Sequence, residues 1–247
     1  MLTPTKQISA FVLAGTLLAA WPGPASAQSQ EPTFFLNAAI GAQSHTHSFG
    51  TTGSTSVYGE SATFASAQGV SGGLLFDVGA AYLVLPMVAI GGSFSTVSDI
   101  ERATLTASVP HPIFFDQPAT VSGEQGNLRH RETGIHIQAK VIIPTGAWLP
   151  TGSWLALVVG PSFFNLTQDL ISGISIPAGT QTVVPVVSEE SGSGVGMNGG
   201  IEGRFPVAPR VGIGGFLRYA GGNVDLGSLT DAKVGGFQAG VGVSLGF

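Results

Sequence analysis

Eight polar side chains fall at positions where an alternating chain would bring them onto one face: Asp77, Glu132, His136, Lys140, Glu202, Arg204, Arg218 and Gln238. Both charge signs are present, so the chemistry they offer is ion pairing and hydrogen bonding in an enclosed space, because buried charges persist only when paired. Glu202 and Arg218 are expected to share one ion-pair network on adjacent strands. Nucleophilic chemistry has one candidate stretch, His45-Thr46-His47-Ser48. A Ser/His/acid arrangement needs a carboxylate that orients the histidine, and none is matched to this stretch. His45 and His47 would lie on one side of an extended chain, where His111 or His130 would have to join them to hold a metal. No catalytic residue, metal or cofactor is predicted. The glycine pairs, such as Gly199-Gly200 and Gly214-Gly215, lack the strand-to-helix setting of a phosphate loop.

The elements that would position the polar set are strands. At the end of the chain, Phe237, Ala239, Val241, Val243, Leu245 and Phe247 alternate with Gly236, Gln238, Gly240, Gly242, Ser244 and Gly246, a period of two. The same rhythm predicts strands from about 33 to 43, 70 to 82, 87 to 95, 130 to 143, 153 to 166, 194 to 205 and 210 to 220. Outward positions include Leu74, Phe76 and Val78, then Ile135, Ile137 and Val141, then Ile213 and Leu217. Strand five has no clear phase, because Val158-Val159 and Phe163-Phe164 satisfy either face. Between strands lie long polar connections at about 44–69, 98–129 and 167–192, a shorter one at 221–233, and short links marked by prolines. The link at 144–152 and the following strand bring Trp148 and Trp154, which suit an aromatic girdle at a membrane interface. The prediction is an all-β, eight-stranded antiparallel up-and-down transmembrane barrel over residues 28–247.

Residues 1–27 read as a cleaved signal peptide: Lys6, an apolar run from Ile8 to Trp21, a Pro22-Gly-Pro24 break and the small residues Ala25-Ser-Ala27. The run of about fourteen residues is short of the roughly twenty that span a bilayer. Beyond it, eight basic residues face fourteen acidic ones, which excludes a basic nucleic-acid surface. Charged residues make up 9% of the chain and there are 37 glycines, against about 25% charged in soluble domains. With no cysteine there is neither a disulfide framework nor a lipid-modified cysteine. Two soluble alternatives compete: a lipocalin-like exported barrel, with the apolar face inside around a ligand and Lys140 and Arg218 outside, and a sandwich adhesin.

The signal peptide, the eight alternating strands, hairpins such as Gly203-Arg-Phe-Pro-Val-Ala-Pro-Arg-Val-Gly-Ile-Gly214 and the terminal Phe247 together resemble the bacterial outer-membrane β-barrel proteins of the OmpA-like and OmpX-like type. The resemblance implies residence in the outer membrane of a Gram-negative bacterium, among lipid and lipopolysaccharide, as a monomer. It also implies recognition of the last strand by the barrel assembly machinery, matched here at Val241, Val243, Leu245 and Phe247. No peptidoglycan-binding domain is expected after strand eight. Some barrels of this size modify lipid A, and a narrow gated pore is a further alternative. The expected role is structural or surface-interactive through the long loops. Ile113, Phe114 and Phe115, framed by Pro110, Pro112 and Pro118, are the candidates for contact with an extracellular partner, unless they fold onto the barrel mouth.

Overall fold

The computed structural model describes residues 32–145, 149–177, 180, 182–227 and 229–247, without the side chains of His45, Thr46 and Pro144. The signal-peptide assignment over 1–27 and the girdle assignment of Trp148 lie outside the described residues. Eight strands follow in order: β1 Phe34–Val57, β2 Glu60–Leu85, β3 Val88–Val109, β4 Ala119–Pro144, β5 Trp154–Ser175, β6 Val184–Pro206, β7 Val211–Val224 and β8 Ala232–Gly246. Each pairs antiparallel with the next, and β8 returns to β1, so the sheet is a closed barrel. The closing seam runs from Phe35 opposite Gly246 to Ser44 opposite Phe237. Phe247 completes it, accepting from the backbone N–H of Thr33 at 2.8 Å and Phe34 at 3.1 Å.

Three of the expected loops are mostly strand. β1 and β2 run on to a two-residue turn at Tyr58-Gly59, where both residues have positive φ (54° and 83°). This is the backbone that lets two strands meet without splaying. β3 and β4 extend to Val109 and from Ala119, and β5 and β6 to Ser175 and from Val184. Pro110, Pro112 and Pro118 lie in the β3–β4 tip, between the end of β3 and the start of β4.

β3 shows what changes along a strand. Near the short-turn end its outward residues are Ile90 and Phe94, and its inward ones Ala89, Ser93 and Ser95; farther on, Ser98, Arg102, Thr104 and Thr106 face out, with Ile100 the one apolar residue among them, while Val97, Ala103, Leu105, Ala107 and Val109 are buried. The alternation is unbroken, but its polarity inverts. Below the inversion the exterior is an apolar belt, with Val78 59%, Val195 68% and Val241 65% exposed. Water would penalise that much exposed aliphatic surface, and a bilayer would not. Above the inversion the strands build a cap with an apolar inside: Ala62, Phe64, Leu105, Ala107, Val109 and Leu128 from β2 to β4 pack against Ile171 and Ile174 of β5. Thr51 donates to the Ile171 carbonyl at 2.6 Å and Tyr58 to the Thr180 carbonyl at 2.9 Å, tying the β1–β2 hairpin to the β5–β6 hairpin. The phase of β5 is now fixed, with Leu155, Leu157, Val159 and Phe163 outward and Val158 and Phe164 buried.

Candidate functional site: the polar interior and the cap

The inward face of the belt region is where the polar set converges. Asp77, Glu132, His136, Lys140, Arg204, Arg218 and Gln238 are all buried, and the Glu202 side chain is 14% exposed. Arg218 on β7 reaches across the barrel to the Asp77 carboxylate on β2, donates to Ser93 Oγ at 2.9 Å, and donates to Gln238 Oε1. Gln238 in turn donates to Gln43, and Gln43 donates to Glu132 Oε2 at 2.7 Å. Glu132 also accepts from the Gly235 backbone N–H at 3.0 Å and meets His130 Nε2 at 3.0 Å, while the other ring nitrogen of His130 bonds to Gln168. One chain of bonds thus runs from β2 through β7, β8 and β1 to β4 and β5.

Two further groups fill the rest of the section. Lys140 donates to Glu202 Oε2 at 2.6 Å. His136 sits between Ser95 at 2.9 Å and Ser162 at 2.8 Å, and Asn198 joins Ser162 at 2.9 Å to Gln138 at 3.2 Å. Arg204 has no carboxylate partner among the described residues: its guanidinium lies 5.5 Å from the Phe35 ring, and Nε and Nη2 make no hydrogen bond there. A cavity of about 40 Å³ lined by Asp77, Lys140, Trp154, Glu202 and Arg204 lies beside it. That is room for about one to three waters. Trp154 packs on the buried Phe35 with ring centroids 5.8 Å apart and so belongs to the interior rather than to an outer aromatic girdle.

The direct pairing of Glu202 with Arg218 does not form. Arg218 stands opposite Gly200 and Glu202 opposite Phe216, and the Arg218 guanidinium lies 4.8 Å from the Phe216 ring on its way to Asp77. Glu202 therefore finds Lys140, two strands away. The interior network also takes in Gln43, Ser95, His130, Gln138, Ser162, Gln168 and Asn198, which the predicted set does not contain. The phase of the strands was their only signal.

The histidine candidates are dispersed. His47 faces inward, beside a cavity of about 350 Å³ bounded by Leu229 to Lys233, and Ser48 is exposed on the opposite face of β1. The His45 side chain lies outside the described residues. His130 is committed inside the barrel. His111 is at the β3–β4 tip, where its Nδ1 accepts from the backbone N–H of Ile113 at 3.1 Å and Phe114 at 3.2 Å. No group of three or more potential metal ligands occurs among the described residues.

At that tip, Ile113 is 76%, Phe114 54% and Phe115 74% exposed, so these side chains do not fold onto the mouth of the barrel. His111 stacks on Phe114 with ring centroids 4.8 Å apart, and Glu60 accepts from the Asp116 backbone N–H at 3.3 Å. Deeper in the cap, Glu101 is buried and neither carboxylate oxygen makes a well-formed hydrogen bond. Burial pushes its pKa up to about 7.

No family model matches the sequence, and no curated protein matches it. Solved structures are similar in shape at low identity. Neisserial surface protein A is 15% identical, with 87% of this chain and 97% of that chain covered and a TM-score of 0.45. The outer membrane protein OprG from Pseudomonas aeruginosa is 7% identical, with 89% and 98% covered and a TM-score of 0.48. The outer membrane protease OmpT from Escherichia coli is 9% identical, with 89% and 100% covered and a TM-score of 0.43.

Proposed function

We propose that the chain is an exported outer-membrane barrel, filled inside by its own polar side chains, that presents an ordered cap to the cell exterior and acts there as a surface-interaction protein rather than an enzyme. The observation that carries this reading is the inversion of polarity along the strands. The apolar belt asks for lipid, and the cap, polar outside and apolar inside, is built for water. Val241, Val243, Leu245 and Phe247 present the terminal pattern for the barrel assembly machinery, and the protein works as a monomer among outer-membrane lipids.

The interior supports a structural barrel over a pore, since side chains from all eight strands bond to one another across the section. The tip supports contact with an apolar extracellular surface. Prolines and the His111 cap hold Ile113, Phe114 and Phe115 in place, so little conformational entropy is lost on binding. The test is attachment of cells to an apolar surface such as polystyrene, comparing the wild type with Ile113→Ser/Phe114→Ser/Phe115→Ser at equal surface amounts. Attachment is expected to fall about threefold or more, the scale of a few partly buried apolar groups. Unchanged attachment would contradict the contact role. Membrane residence is read separately, from heat-modifiable migration and retention in the membrane fraction after a salt wash.

A further inference from the structure

Eight lysines and arginines follow the leader. Lys140, Arg204 and Arg218 are buried inside the barrel. Of the other five, Arg102, Arg129 and Arg131 stand together on the outer face of β3 and β4 and all are exposed. Arg131 is opposite Ser98 and Arg129 opposite Ile100, and Arg102 is the next outward position on β3. The two remaining cations are elsewhere, Arg210 at a short turn and Lys233 at the start of β8.

The height of this group matters. On β4 the apolar belt ends at Ile135, followed outward by Thr133 and then Arg131. Four residues of strand cover about 13 Å along the chain, or roughly 10 Å of height at a tilt of about 40°. Arginine stems are long enough to turn their heads back toward that boundary. The arginines therefore stand at the level of lipid headgroups if the belt spans the membrane, and the inference rests on that reading.

The local backbone makes room for them. The β3–β4 register slips between Glu101 and Ala103, and the extra residue on β4 falls at Gly126-Asn127, where Asn127 has φ of 58°. Such a bulge re-aims neighbouring side chains. A Cβ at Gly126 would have the Arg102 stem as its nearest neighbour, 4.0 Å away. Arg129 is held by Asp169 and Glu189, each at 3.2 Å. Arg102 and Arg131 have no carboxylate within ion-pair distance among the described residues. Glu124, the next acid along the β4 exterior, lies beyond Arg102 toward the tip, opposite Thr104.

We infer that Arg102, Arg129 and Arg131 form a docking surface for a phosphorylated glycolipid of the surrounding outer leaflet, lipopolysaccharide. Its acyl chains lie against the belt of β3 and β4, and its phosphates lie on the arginines. Arg131 and Arg129 are about 7 Å apart along one strand, and β3 is about 5 Å away, a spread that suits more than one phosphate. Guanidinium forks bind phosphate oxygens in pairs.

The experiment uses the full chain in detergent and measures binding of lipid A carrying both phosphates, lipid A stripped of phosphate, and inorganic phosphate. Wild type is expected to bind the phosphorylated lipid about fivefold or more tightly than the stripped one, and Arg102→Gln/Arg131→Gln to lose that preference. Lys233→Gln should bind as wild type. Equal binding of the two lipids, an unaffected double variant, or full displacement of lipid A by millimolar inorganic phosphate would each overturn the inference. Heat-modifiable migration of the same preparations shows separately whether the barrel has folded, so a failed barrel is not mistaken for a failed site.

Discussion

Lys140 and Glu202 meet inside the barrel, Nζ to Oε2 at 2.6 Å, although their strands β4 and β6 are separated by β5. Arg218 and Asp77 make a longer reach, from β7 to β2. These pairs join strands that share no backbone bonds, so they brace the closed section.

Removing one partner of the Arg218–Asp77 pair leaves a buried charge alone. Asp77→Asn or Arg218→Met is expected to destabilise the barrel by about 3–5 kcal/mol, read from urea unfolding in detergent. The double variant Asp77→Leu/Arg218→Met should recover much of the loss, because it removes both charges. Single variants as stable as wild type would show that the pair does not brace the barrel.

The partner choice of Glu202 is testable by double-mutant cycles. Glu202→Gln combined with Lys140→Met should give a coupling of about 1–3 kcal/mol. The cycle with Arg218→Met should give less, since Phe216 rather than Arg218 stands opposite Glu202. A larger coupling to Arg218 would restore the pairing that strand adjacency suggests.

Glu101 gives the cap a pH dependence. Its folded pKa, about 7, is above the ordinary glutamate value of 4.5, so the folded cap binds the proton more tightly than the unfolded chain. The cap is then most favoured below about pH 4.5, loses stability as pH rises to about 7, and carries the full penalty above that. Glu101→Gln should flatten this slope and raise cap stability at pH 8 by on the order of 1–3 kcal/mol. Hydrogen exchange of cap amides across this range is the readout, and an identical slope in the variant would contradict it.

The β1–β8 seam admits no side chain at two inward glycines. A Cβ at Gly41 would come within 1.9 Å of the Ala239 carbonyl oxygen, and one at Gly242 within 1.9 Å of the Ala38 oxygen. Gly242→Ala should cost about 1–3 kcal/mol and lower the yield of heat-modifiable barrel on refolding. Full yield with unchanged stability would argue against so close a seam.

Much of the belt region was legible in the sequence, and the cap was not. Lipid demands one apolar face, so Ile135, Ile137 and Val141 on β4, and Val241, Val243 and Leu245 on β8, announce themselves. In the cap the outward face meets water and accepts serine and threonine, as at Thr52, Ser54 and Ser56, so the strands read as polar loop. Yet Ala103, Leu105, Ala107 and Val109 alternate as regularly as any belt residues. The inversion hid them, because the apolar phase moved from outside to inside. It also explains why a lipocalin-like reading competed with the membrane barrel: each polarity describes one part of the same strands. Bulges at Gly72 and at Gly126-Asn127, with positive φ at Gly72 and Asn127, shift the phase of β2 and β4 and break the pattern further. The interior bonding was legible only as a face; which residues pair depends on register across a closed section, which no single strand reveals.

The central claim is that the belt faces lipid while the polar face is enclosed. The chain has no cysteine, so single-cysteine variants at positions 135 to 141 of β4 can each carry a nitroxide in liposomes. Relaxation by oxygen, which concentrates in lipid, should peak at Ile135, Ile137, Ala139 and Val141, with His136 and Gln138 shielded from both oxygen and a water-soluble nickel complex. Maximal relaxation by the nickel complex at Ile135, Ile137, Ala139 and Val141 would contradict the account.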